Sequence, residues 1–176
     1  FADVIKSSAA VKATASDIPS ETSTEGSNPS NTLPTQAQKA PIPTGVGLAV
    51  DRSIFRAYDI RGVLNKTLDA NVARLIGQAI GTVMAERGLQ EVVVGRDGRL
   101  SGPMLSEALI DGLRLAGRDV IDIGLAPTPL VYFASYQLQT GSCVAVTGSH
   151  NPPDYNGFKI VLGGETLSGE AIEDLY

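Results

Sequence analysis

The sequence predicts an α/β domain of three layers, α/β/α, on a mostly parallel mixed sheet, preceded by a disordered tail. Three observations carry that expectation. After Asp51, short apolar runs alternate with stretches of helical period. Before it, no apolar period is sustained. Polar clusters rich in Gly, Arg and Asp close the apolar runs, as turns at strand ends do.

Taken in order, residues 1–50 are dominated by Ser, Thr, Ala and Pro, as in "IPSETSTEGSNPSNTLPTQAQKAPIPTG". Such a segment buries too little apolar surface to offset its ordering entropy, and it reads as a linker. Residues 51–176 form the expected domain. "SIFRAYDI" is its first strand. "LDANVARLIGQAIGTVMAERG" follows as a helix, with Val72, Leu75, Ile76, Ala79, Ile80, Val83 and Met84 on one face and Gly88 as its stop. "EVVVGRDGR" is a buried strand ending in a polar turn. A second helix, residues 101–116, turns Leu105, Ala108, Leu109 and Leu113 inward before Gly117. "DVIDIGL" is the next strand, and Ala126-Pro127-Thr128-Pro129 opens a third helix over residues 130–138. "SCVAV" is a further strand, with "GFKIVLGG" able to pair back on it as a hairpin. The chain opens without Met and stops inside the helical pattern "LSGEAIEDLY", so the domain is expected to be truncated at its C-terminus and part of a longer protein.

Composition removes several classes of function. The net charge of −5 supplies no basic field for nucleic acid. No run approaches the roughly 18 apolar residues of a membrane span. The single cysteine, Cys143, lies in an apolar strand pattern and reads as a small core residue, which suits a reducing, cytoplasmic setting. No His, Cys or Asp pair has metal-ligand spacing, so a cation would need ligands from elsewhere.

Three polar clusters stand where the strands end: "FRAYDIRG", "GRDGRLSG" and "TGSHNPPDYNGFK". In open α/β sheets, ligands bind outside the carboxyl ends of the strands. Convergence would bring together two or three guanidiniums, Lys159, His150 and the Ser149 hydroxyl, a set suited to a phosphate ester. Plainer roles compete for each. An arginine of "RDGR" can simply pair with Asp97, Arg56 can pair with Asp59, and Ser149 and His150 can be ordinary loop residues. "TGSHN" fails the G-x-S-x-G elbow, and adjacent side chains usually diverge, which argues against His150 as a base for Ser149. A glycine-flanked serine among cations could instead carry a phosphoryl group.

These motifs, with "APTP" between them, resemble the first domain of the α-D-phosphohexomutases, and within them the bacterial phosphomannomutase/phosphoglucomutase branch. The resemblance covers residues 53–176 and none of the tail. Phosphoglucosamine mutases, a close branch, usually show "GTDGIRG" and an A-S-H-N-P loop, from which this chain departs. The resemblance implies that Ser149 is a phosphoserine exchanging its phosphoryl group with a hexose 1- or 6-phosphate through a hexose 1,6-bisphosphate. It implies Arg61 and Lys159 as the cations beside it, Lys159 as general acid or base, His150 and Asn151 as residues orienting the loop and phosphate with His150 also a proton carrier, and Tyr58 as a wall of the sugar site. It further implies Mg2+ on the Ser149 phosphate, its remaining ligands lying in later domains of the same chain. The competing expectations are a phosphosugar-binding module without transfer and, within the same family, a phosphoglucosamine mutase.

Overall fold

The computed structural model describes residues 49–176. The expected linker over residues 1–50 thus falls almost wholly outside the described residues.

The strands are β1 (Ile60–Val63), β2 (Glu91–Arg96), β3 (Asp119–Leu125), β4 (Cys143–Val146), β5 (Tyr155–Leu162) and β6 (Glu165–Thr166). They form one sheet in the order β1-β5-β4-β2-β3, with β6 paired on β5. β2 lies parallel to β3 and β4, whereas β5 is antiparallel to β4, β1 and β6. So β5 alone runs against the others, and the anticipated β4–β5 hairpin is present.

Helices α1 (Ala70–Glu86) and α2 (Gly102–Leu115) share one face of this sheet, and α3 (Thr128–Gln137) covers the other. The two-residue period of a strand sorts the side chains between them. Val92, Val94, Val144, Val146, Phe158 and Ile160 enter the α1/α2 core, while Val93, Cys143 and Ala145 meet Val131 of α3. The three-layer α/β/α architecture is therefore the one expected. A short helix α4 (Glu170–Glu173) ends the chain.

Local chemistry explains the element boundaries. The Asp69 carboxylate accepts from the Val72 amide and caps α1, and Gly88 closes it at φ 68°. α1 and α2 cross closely enough that a methyl group on Gly77 would strike the Leu109 carbonyl, and one on Gly112 the Arg74 carbonyl. Two expectations need correction. Leu75 is 36% exposed, because the buried stripe of α1 is centred on Ala73, Ile76, Gly77 and Ile80. "SIFRAYDI" is not a strand: Arg52–Ile54 is a 3-10 turn, Phe55 makes one isolated bridge to Ile60, and pairing begins only at Ile60.

That shift matters for the site. Ile60 pairs with Phe158, which pairs in turn with Val146, the last residue of β4. β1 thus starts at the level where β4 stops. The polar cluster leads into β1 rather than closing it, and still lies beside the loop over residues 147–154.

Candidate active site

Two acidic side chains organise this end of the sheet. Asp59, 6% exposed, stands immediately before β1. Its Oδ2 accepts from Arg61 Nη2 at 3.0 Å and from Lys159 Nζ at 3.3 Å, Lys159 coming from β5. Arg61 also donates from Nη1 to Asn151 Oδ1 at 3.1 Å, joining this cluster to the loop. Asp59 therefore pairs with Arg61 and Lys159, not with Arg56 as the simplest reading allowed. Two partly exposed cations beside it are what make burial of the Asp59 carboxylate tolerable.

Asp97, in the turn after β2, grips the start of the loop. Its Oδ2 accepts from Thr147 Oγ1 at 2.9 Å and from the Gly148 amide at 3.0 Å, and its Oδ1 from the Arg99 amide. The plain pairing expected within "RDGR" is present, with Arg99 Nε 3.7 Å from Asp97 Oδ2. Arg99 also reaches across to donate to the carbonyls of Ser149, Asn151, Pro152 and Tyr155.

Ser149 and His150 form the exposed tip of the loop. The Ser149 backbone is left-handed, with φ 51°, and its amide donates to Thr147 Oγ1 at 2.9 Å. This backbone brings Ser149 Oγ to 3.2 Å from His150 Nδ1. The expected divergence of these neighbouring side chains therefore fails: it holds for ordinary backbone, and Ser149 is not in ordinary backbone. Asn151 folds under the tip, donating from Nδ2 to the Gly148 carbonyl at 2.8 Å.

Two clefts flank the loop. One, of about 530 Å3, is walled by Tyr58, Asp59, Arg61, Asn151, Tyr155 and Lys159. The other, of about 650 Å3, is lined by Asp97, Arg99, Ser101, Ser149, Asn151 and Pro153. Arg61, Lys159, Tyr58 and Asn151 thus share one cleft, Ser149 opens on the next, and Asn151 is the wall between them. Tyr58 is 75% exposed on the rim. Among the described residues no group of three or more His, Cys, Asp or Glu side chains is gathered as a metal would require. Asp59 and Asp97 are committed to hydrogen bonds within the site.

Asp59, Asp97, Thr147 and Arg99 lie in the polar clusters that the sequence marks, but the sequence does not show that they hold the site together. Spacing could not reveal this, since each acts across a long sequence separation, such as Asp59 with Lys159 or Asp97 with Thr147.

Fold and site together define a three-layer α/β/α domain that presents a serine-tipped loop beside a pair of cations. The profile described as phosphoglucomutase/phosphomannomutase, alpha/beta/alpha domain I, matches residues 52–176. The chain belongs to that family. It is 58% identical over 123 residues to a phosphomannomutase/phosphoglucomutase of Pseudomonas aeruginosa, covering 70% of this chain and 27% of that one. It is 53% identical over 127 residues to a phosphoglucomutase of Neisseria gonorrhoeae, covering 72% and 28%. A crystal structure of a phosphoglucomutase/phosphomannomutase family protein from Burkholderia thailandensis superposes with a TM-score of 0.69 at 54% identity, over 73% of this chain and 30% of that one. The chain thus spans about 28% of the length of curated relatives that it matches. Among the described residues no helix is long and apolar enough to cross a membrane.

Proposed function

We propose that this domain carries the phosphorylated serine of a phosphohexomutase that interconverts hexose 1-phosphate and hexose 6-phosphate, with mannose and glucose as the sugars. The observation that carries the reading is the loop itself: one nucleophilic hydroxyl at the tip, its backbone pinned by Asp97 and Arg99, with Arg61 and Lys159 alongside.

In the forward half-reaction the P–O bond to Ser149 breaks as a P–O bond forms to a sugar hydroxyl; that hydroxyl's proton leaves to the His150 imidazole or to the amine of Lys159 in its unprotonated form, and Ser149 Oγ takes up a proton as it is released. The resulting hexose 1,6-bisphosphate turns over and returns its other phosphoryl group to Ser149. Such transfer relies on positioning and charge stabilisation more than on covalent chemistry. Arg61 supplies a planar fork for phosphate oxygens, with Asn151 holding it toward the loop. Tyr58 lines the sugar side of the cleft. Mg2+ bound to the Ser149 phosphoryl group would neutralise developing charge, its remaining ligands coming from other domains of the same protein. Residues 1–50 serve as a linker, and the protein works in the cytoplasm on hexose phosphates, without nucleic acid or membrane contact from this segment.

Ser149→Ala in the full-length protein tests the reading. It should abolish phosphoryl turnover while leaving the far-ultraviolet circular dichroism unchanged. Near-normal turnover would refute the phosphoserine. Intact-mass measurement of native protein adds an independent arm: no phosphate on Ser149 in any preparation would favour a phosphosugar-binding module.

A further inference from the structure

We propose that Arg99 is the positioning residue of the Ser149 loop, its guanidinium being the template around which the loop closes and by which the hydroxyl is aimed. This rests on Ser149 being the group that carries the phosphoryl.

Arg99 leaves the turn between β2 and α2 and reaches a segment fifty residues further on. Its Nη1 donates to the Pro152 carbonyl at 2.6 Å and the Tyr155 carbonyl at 2.9 Å. Its Nη2 donates to the Asn151 carbonyl at 2.6 Å and the Ser149 carbonyl at 3.3 Å. The four N–H groups of its terminal nitrogens are thus committed to the protein, and Nε faces Asp97 Oδ2 at 3.7 Å. Arg99 is therefore not among the cations offered to a ligand, although its place in "GRDGRLSG" pointed that way. It spends its charge on backbone dipoles.

The loop is shaped to receive it. Gly148 needs no glycine for its backbone angle, since its φ is not positive. It needs one for space: a methyl group there would fall on the Arg99 guanidinium. The carbonyls of Ser149, Asn151, Pro152 and Tyr155 all converge on one planar group, and Asp97 takes the Gly148 amide at the entry. A loop held at its amides on one side and its carbonyls on the other has little freedom left. That explains how Ser149 keeps a left-handed φ of 51°, which a residue with a Cβ adopts only when its surroundings over-determine it. Lysine cannot substitute, because its three donors radiate from one atom whereas these acceptors are spread along a fork.

The experiment compares Arg99→Lys, Arg99→Ala, Gly148→Ala and Ser149→Ala in the full-length protein, reading kcat, KM for glucose 1-phosphate, and amide exchange. Misplacement of a reacting group by about 1 Å can cost about 100-fold, so Arg99→Lys should lower kcat by about that factor with KM unchanged. Exchange should accelerate across residues 147–155 and not across β2 or α2. Gly148→Ala displaces the guanidinium without removing its charge, and should reproduce both effects. Arg99→Ala should regain part of its kcat when millimolar guanidinium ion is added. Retention of kcat by Arg99→Lys, with loop exchange unchanged, would overturn the proposal. So would loss of protection throughout the domain in both the Arg99 and Gly148 variants, which would make Arg99 a stability residue. Turnover by Ser149→Ala would instead remove the phosphoserine reading, while the exchange measurement, which needs no activity, would still decide the role of Arg99.

Discussion

Asp59→Asn is the sharpest perturbation of the cation cluster. The substitution keeps the side-chain shape and removes one negative charge from a site where the carboxylate is only 8% exposed. Two charge-assisted bonds are affected, to Arg61 at 3.0 Å and to Lys159 at 3.3 Å. Hydrogen bonds to charged groups contribute about 1.5–3 kcal/mol each, so the gross loss is about 3–6 kcal/mol. Arg61 and Lys159 remain 31% and 28% exposed and can turn toward water, and the amide oxygen of the introduced side chain still accepts weakly. Taking both into account leaves a net destabilisation of about 2–3 kcal/mol. In a domain of this size that corresponds to a fall in Tm of about 5–10 °C.

The assay is urea unfolding followed by circular dichroism at 222 nm, with and without inorganic phosphate. Without phosphate the variant should be weaker by the amount above, at an unchanged m-value. With phosphate the order of response should reverse. Two cations freed of their internal anion should hold an external one more tightly, so phosphate should raise the stability of Asp59→Asn more than that of the parent. A loss smaller than about 0.5 kcal/mol, the usual range for an uninvolved surface change, would refute the view that Asp59 holds this cluster together.

Two further outcomes are expected. Cys143 lies fully buried and burial pushes its thiol up from 9.0 to about 11; it should resist alkylation at pH 8 in the native protein and react on unfolding. Because the unfolded thiol loses its proton first, this group's contribution to stability is complete below pH 9 and lost as pH rises toward about 11, a decline that Cys143→Ala should lack. The 176-residue chain by itself should turn over neither mannose 1-phosphate nor glucose 1-phosphate even with Mg2+ and bisphosphate, since one wall of a cleft cannot hold a substrate's far phosphate and the positioning contribution of about 7–11 kcal/mol is absent. Activity within a few-fold of the Pseudomonas aeruginosa relative would refute that account.

Elements with strong local pattern were legible in the sequence. The helical period of α1, the continuous apolar runs of β2 and β4, and the glycines after α1 and α2 each have one physical meaning, and the structure agrees with them. Where reading failed, two local signals competed. "SIFRAYDI" alternates well enough for a strand, yet Asp51 caps a 3-10 turn there by accepting from the Ser53 amide, and the run has no free sheet edge until Ile60. Leu75 fits the helical stripe by spacing, but the closest approach of α2 falls at Gly77, which rotates the buried face away from it.

The site divides along the same line. Ser149, His150 and Asn151 stand out in the sequence because reactive residue types in a glycine- and proline-rich loop are chemically conspicuous, and Arg61 and Lys159 because they are cations within apolar strand patterns, β1 and β5. What holds them does not, because it is written in backbone geometry. Four carbonyls facing one guanidinium leave no trace in residue type, and Gly148 looks like any turn glycine until the guanidinium beneath it is seen. The same holds for the contact between Ser149 and His150, which follows from a left-handed φ at a residue that rarely adopts one. Residue types therefore marked the atoms that could react. Their aim depends on Asp59, Asp97 and Arg99, side chains that a sequence reader assigns first to routine ion pairs, and a substitution that spares every reactive group can still disarm the loop.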